Sequence, residues 1–305
     1  MLYFSARLYY NNKAISIGGQ RMKILKNIGV MALSIFVFLF GQLVQVLLMK
    51  VFSDYYLKLI IPCIARIIVT VLLAWIVSAK VLKITPEELG IKYKKFDFRL
   101  GVFSVALPLA ILIFYAFVLP GKPYVAHEGM LGRAVVMAVF AEGISAGITE
   151  ELVFRGMIFR YMKKTLGVKL AVIIPAILFA GLHITSMKTF DFTDLLLLIL
   201  AGSSVAVMFT LMALESGSIY PGALAHTLWN TLIIGGLFVI GKIVNGSEND
   251  SYIIIPVESE SKLLTGGNFG VEAAFPGIIG YILISILLFF MIRTKEKMLQ
   301  DNPKA

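Results

Sequence analysis

The run AVVMAVFAEGISAGITEELVFRGMIFRYMKK, residues 134–164, is mostly apolar, yet it holds Glu142, Glu150, Glu151 and Arg155. About 20 residues suffice for a helix to cross roughly 30 Å of hydrocarbon. The run is therefore too long for one upright crossing. It reads as a tilted helix or as two pieces meeting near Gly147, with Gly143 one turn earlier. Charge is expensive at such depth. How Glu150, Glu151 and Arg155 are accommodated decides what the chain is.

Around this run the sequence is that of an integral membrane protein. Of its 305 residues 59% are hydrophobic and 15% are charged, and the mean hydropathy is +0.89. Soluble domains carry roughly 25% charged residues. The apolar runs are continuous rather than alternating, which points to helices and not barrel strands. The fold class is thus all-α, a polytopic bundle of about eight transmembrane helices, at about 27–48, 57–79, 101–119, 134–164, 169–187, 194–214, 220–241 and 273–292.

The basic residues orient this layout. With the N-terminus inside, twenty of the 28 Lys and Arg residues fall in cytoplasmic segments and seven outside, with Arg66 within a span. This bias places both termini in the cytoplasm. Residues 1–26 then form a cytoplasmic segment, 27–292 the bundle and 293–305 a cytoplasmic tail. Met22 is as good a start as Met1. The first span is too long for a cleaved signal and is expected to remain as an anchor. The loop around 245–272 is turn-rich and acidic, and mobility is expected of it.

The net charge of +10 reflects these flanking residues, not a nucleic-acid stripe, so the partners are the lipid bilayer and membrane-associated molecules, with no nucleic acid. Cys63, the single cysteine, excludes an intrachain disulfide and a thiolate cluster and reads as a small core residue.

Ionisable residues within spans are functional candidates: here Arg66, Glu142, Glu150, Glu151, Arg155, His183 and His226, with Asn230 beside them. Glu151 and Arg155 are four apart and share a helix face. Glu150 is turned about 100° away. Glu151 therefore reads as the braced acid and Glu150 as the free one. A solvated helix end with a salt bridge is the plain alternative. Glu142 could pair with Arg66 as a buried bridge. His127, in a loop, is background.

The turn KKTLGVK makes a hairpin of the fourth and fifth spans. Glu150 and His183 each lie about sixteen residues from its centre, roughly 24 Å at about 1.5 Å per residue. They reach similar depth and could face one another. His226 and Asn230, four apart, share a face of the seventh span. A desolvated carboxylate can exchange protons, neutral imidazole can share them or bind a cation, and an amide can donate to an oxyanion. This set suits hydrolysis of an acyl bond, most naturally a peptide bond. There is no HExxH pair. Glu150, His183 and His226 could form a two-histidine, one-carboxylate site for a divalent metal such as zinc, and the residues alone leave both options open.

Three stretches, EELVFR at 150–155, FAGLH at 179–183 and HTLWN at 226–230, match the motifs EExxxR, FxxxH and HxxxN. In order and approximate spacing the chain resembles the CPBP intramembrane proteases, the family of CAAX prenyl proteases and bacteriocin-processing enzymes also called Abi. The resemblance covers about 135–240. It implies an intramembrane endopeptidase, with Glu150 and His183 activating water, His226 and Asn230 supporting an oxyanion, and Glu151 and Arg155 in support. It implies a membrane-associated, prenylated CAAX-type substrate for some members, and bacteriocin immunity or peptide maturation for bacterial ones. Members are usually described as metalloproteases. The Lys- and Ile-rich chain suggests a bacterial plasma membrane. A non-catalytic scaffold or immunity protein is the alternative from another class. A proton- or metal-coupled transporter is a third, weakened by the lack of an evident inverted repeat.

Overall fold

The computed structural model of the chain describes residues 2–91, 97–187, 189–241 and 251–301, with side chains from Arg21 onward. It is an all-α polytopic bundle, and seven of its helices are long and apolar enough to cross a membrane. Helix α1 is Leu2–Met49 and α2 is Tyr55–Val77. Helix α3 is Phe98–Ile113, α4 Leu131–Leu166, α5 Val168–Leu182 and α6 Phe192–Ser216. The last long helix, α9, is Phe275–Asp301.

The expected seventh span, 220–241, is different. Its helix α7 covers Tyr220–Trp229, and a wide turn carries it only to Ile234. Gly235 and Gly236 then end the helix, Gly236 with φ of 83°, a conformation that glycine adopts freely. The β-branched residues that follow enter a strand instead. Strand β2 (Phe238–Gly241) pairs in parallel with β3 (Ile253–Pro256), which also pairs antiparallel with β1 (Tyr124–Val125). The small sheet, in the order β1-β3-β2, closes the end of the bundle where α3 stops and α4 starts. Eight full crossings are thus corrected to seven long helices and one short one.

Of the loop expected to be mobile, residues 245–250 lie outside the described residues. From Ser251 onward the chain forms β3, a single-turn helix α8 (Lys262–Thr265) and a tight turn at Val271–Ala273.

Helix α4 is central. Of the two expected forms it takes the single helix, not two pieces meeting at Gly147. It is continuous, with two wide, π-type stretches at Met137–Ile144 and Leu152–Ile158. Such turns are uncommon and gather at functional sites. Residues 149–159 are buried without interruption.

Gly143 and Gly147 serve close approach. A Cβ on Gly147 would lie 2.3 Å from Thr227 Oγ1 and 2.9 Å from the Thr227 amide nitrogen. A Cβ on Gly143 would lie 2.3 Å from Thr231 Oγ1. The bare backbone of α4 therefore rests directly on α7, as small residues allow between membrane helices.

Two apolar clusters build the bundle. One joins α3, α6, α7 and α9 through residues such as Leu107, Phe209, Trp229 and Tyr281. The other joins α1, α2, α4 and α5 through Val37, Ala74, Phe154 and Phe179. Large apolar side chains such as Leu43, Leu72, Ile113, Ile177 and Phe290 face outward, as a lipid-facing surface requires. The charged motifs lie at the junction of the two clusters.

Candidate active site

The four-residue spacing of Glu151 and Arg155 gives the contact it predicts. Arg155 Nη1 donates to Glu151 Oε1 at 2.7 Å and its Nη2 donates to the Ala206 carbonyl of α6 at 3.0 Å. The guanidinium lies 5.8, 5.0 and 5.2 Å from the ring centres of Phe154, Phe179 and Phe209. Both charged side chains are almost wholly enclosed, at 0% and 1% residue exposure. A buried ion pair persists only when such additional partners satisfy it.

Glu151 Oε1 also meets His226 Nδ1, at 3.1 Å. This contact needs Gly222, one turn before His226, where a Cβ would lie 3.0 Å from Glu151 Oε2. In the Nδ1–H tautomer the ring donates to Glu151 and leaves its lone pair on Nε2. The ring is stacked on Phe209 at 5.1 Å and 17°. Its Nε2 points toward Glu150 Oε2, 3.9 Å away. That oxygen is buried and has no hydrogen-bond partner among the described residues. The two glutamates divide in part as expected: Glu151 Oε1 is shared by Arg155 and His226, while Glu151 Oε2, like Glu150 Oε2, is buried without a hydrogen-bond partner among the described residues.

His183 sits where α5 tightens into the turn His183–Ser186. Its Nδ1 lies 2.8 Å from the Phe179 carbonyl and its ring 4.6 Å from the Phe179 ring. The phenylalanine of FxxxH therefore orients the histidine through both backbone and ring. It also touches the Arg155 side of the site, its ring 5.1 Å from Phe154.

His183 and His226 line one cavity of about 50 Å³ with Phe179, Phe269, Glu272 and Tyr281. That volume admits water but not a peptide. The neighbour of Glu150 within ion-pair distance is His226. His183 reaches the site through the wall of this cavity. Asn230 donates from Nδ2 to the Glu142 carbonyl at 2.9 Å, tying α7 to α4.

Arg66 and Glu142 make no ion pair within 4 Å among the described residues. Arg66 donates instead to Gln45 on α1 at 3.1 Å and lies 5.3 Å from the centre of the Phe38 ring. The neighbouring helix takes the guanidinium that the possible bridge needed. Cys63 is buried and accepts from Gln45 Nε2 at 3.3 Å.

A metal fits poorly. Among the described residues, no three His, Cys, Asp or Glu side chains converge closely enough to hold one. Glu150, His183 and His226 are gathered at the site but do not form a ligand set.

Sequence reasoning overlooked Phe209, Phe269, Glu272 and Tyr281. Glu272 immediately precedes the apolar run of α9, so it resembled an ordinary flanking charge. It is in fact half-buried in the cavity wall, and desolvation there pushes its carboxyl up to about 8, with the charges of Glu142 and Glu150 adding to the effect. The segment carrying it is tied to the start of α6. Lys262 Nζ lies 2.6 Å from Asp191 Oδ1 and 3.0 Å from Asp194 Oδ1, and the Asn268 amide donates to Asp194 Oδ2 at 3.1 Å. Tyr115 donates to the Leu264 carbonyl at 2.6 Å.

No curated protein and no solved structure matches the chain. The family model described as Rce1-like, type II CAAX prenyl endopeptidase Rce1-like, matches residues 132–232. That segment spans Glu150, Glu151, Arg155, Phe179, His183, His226 and Asn230, and it ends before Glu272. The chain is a multi-pass membrane protein whose motif-bearing helices are Rce1-like, in agreement with the CPBP resemblance of its three motifs.

Proposed function

We propose that the chain is an intramembrane endopeptidase of the CAAX type, acting in a bacterial plasma membrane on a membrane-associated, prenylated protein or peptide. The observation that carries this reading is the unpartnered Glu150 Oε2, 3.9 Å from an imidazole nitrogen whose ring is fixed from behind by Glu151. A water held by Glu150 and the histidines loses its proton to Glu150 as its oxygen attacks the scissile carbonyl carbon.

The proton can pass from Glu150 to His226 Nε2, since the Glu151 carboxylate behind Nδ1 stabilises the imidazolium. His226 then donates from Nε2, and with the remaining amide hydrogen of Asn230 it faces the developing oxyanion. His183, oriented by the Phe179 carbonyl, presents its Nε2 to the same water. Arg155 does not touch the reacting atoms; it holds the Glu151 carboxylate in place. No step is routed through a metal.

The test is cleavage of a farnesylated CAAX peptide by the purified protein in liposomes, compared with Glu150→Gln. Loss of turnover by about 10²-fold or more, with intact folding, is expected. Equal activity of the two forms removes Glu150 from the mechanism. A binding or immunity activity that survives Glu150→Gln, His183→Ala and His226→Ala would favour the scaffold reading.

A further inference from the structure

We propose that Glu272, outside the three motifs and outside the matched segment, is the group that protonates the leaving amine. The inference rests on the hydrolase reading above and extends it by one residue. Glu272 shares the wall of the water-sized cavity with His183 and His226. It is delivered there by the turn Val271–Ala273, between the Phe269 ring, 6.4 Å from His183, and Tyr281 of α9. Its carboxyl makes no hydrogen bond or ion pair among the described residues. The Tyr281 hydroxyl is engaged with the Glu272 carbonyl at 3.5 Å, not with its side chain.

An acid in an apolar wall with no cation beside it stays neutral, and a neutral carboxyl is a hydrogen-bond donor. On the helices packed against its turn, the nearest titratable group is Tyr281 on α9, with Asp194 on α6 and Lys262 on α8 further along the same contacts. Across the cavity stand His183 and His226, with Glu142 and Glu150 near enough for their charges to act on it. Lys262 is occupied by Asp191 and Asp194. Burial and the two glutamates hold the Glu272 carboxyl at about 8, so it carries its proton at neutral pH.

The step balances. Water gives one proton to Glu150 and its oxygen to the carbonyl carbon. As the C–N bond breaks, the amide nitrogen takes the proton of Glu272, leaving a carboxylate there. The proton held by Glu150 and His226 then returns to Glu272, and a carboxylic acid and an amine leave. Division of labour between an ionised and a neutral carboxyl is a recurrent way to run acid and base chemistry at one pH.

The test compares wild type, Glu272→Gln and Glu150→Gln on the farnesylated CAAX peptide in liposomes across pH. Glu272→Gln is expected to lower kcat by about 10²- to 10⁴-fold with KM little changed, and to abolish the alkaline limb near pH 8. Full kcat in Glu272→Gln with loss in Glu150→Gln overturns the proposal and leaves the hydrolase reading standing. Full activity in Glu150→Gln overturns that reading itself. A second measurement needs no substrate: the infrared band of a protonated carboxyl at neutral pH must disappear in Glu272→Gln. If both forms give the same spectrum, Glu272 does not hold the proton and the proposal fails.

Discussion

Charge is held in opposite ways at the centre of the bundle and at the cap formed by residues 261–273. At the centre, Glu151 and Arg155 take their partners from protein: each other, His226, a carbonyl of α6 and three phenylalanine rings, with Glu151 Oε2 left buried and unpartnered among the described residues. At the cap, Lys262 joins Asp191 with both side chains 40% exposed, and only Asp194 is enclosed. Water can replace a lost partner at the cap and cannot at the centre. The fold as a whole depends on the first arrangement, and only local closure depends on the second.

The sharpest way to break this contrast is Arg155→Met. It leaves Glu151 charged and enclosed without its main partner, which should destabilise the fold by about 3–5 kcal/mol. Thermal melting in detergent checks this, and the double change Glu151→Gln with Arg155→Met should recover much of the loss. A melt unchanged by Arg155→Met alone would show that water reaches the centre after all.

Gly147→Val comes next. Its added carbons collide with Thr227 and with the α7 backbone, at about 1–3 kcal/mol for overpacking. Activity should fall further than stability, because an offset near 1 Å at a catalytic group costs about 10²-fold. Parallel melting and turnover measurements separate the two.

A smaller effect follows from Glu272. Its folded value of about 8 lies above the ordinary 4.5, so the folded protein binds the extra proton between those limits. Stability should therefore be greatest below about pH 4.5, as far as this group decides it, and decline as pH rises to 8. Glu272→Gln should flatten that slope, as melting curves at several pH values will show.

The smallest change is expected from Lys262→Ala. Global melting should hardly move, while amide exchange across 262–273 should quicken, as should that of wild type in high salt. Lys262 holds the Asp191 carboxyl below its usual range. The tether is thus present at neutral pH and is lost as pH falls through that lowered value.

The contrast also explains what could be read from sequence. The Glu151–Arg155 pair follows from local helix spacing, and so does the common face of His226 and Asn230. Long apolar runs locate the seven helices because lipid enforces them residue by residue. The early end of α7 depends on two glycines and on pairing of Val239 and Ile240 with Ile254 and Ile255, residues whose partners lie beyond any local window. The π-type stretches of α4 have no apolar period of their own. The roles of Phe209 and Glu272 arise only when α6 and the cap fold against α7. The site was therefore legible where one helix makes it and hidden where separate segments meet.

The enclosure of Arg155 also bears on how the protein is made. Helix α4 is the least apolar of the seven candidate spans, and each charged side chain near a span centre opposes insertion by about 2.5–3.5 kcal/mol. Glu142, Glu150, Glu151 and Arg155 together place that helix at a disadvantage while it is alone in lipid. The carbonyl of Ala206 and the ring of His226, which relieve two of those charges, are synthesised 51 and 71 residues after Arg155. Between those moments the helix must shelter beside α1, α2 and α5. The order of synthesis thus means that α7 must be made before the site can close around its charges.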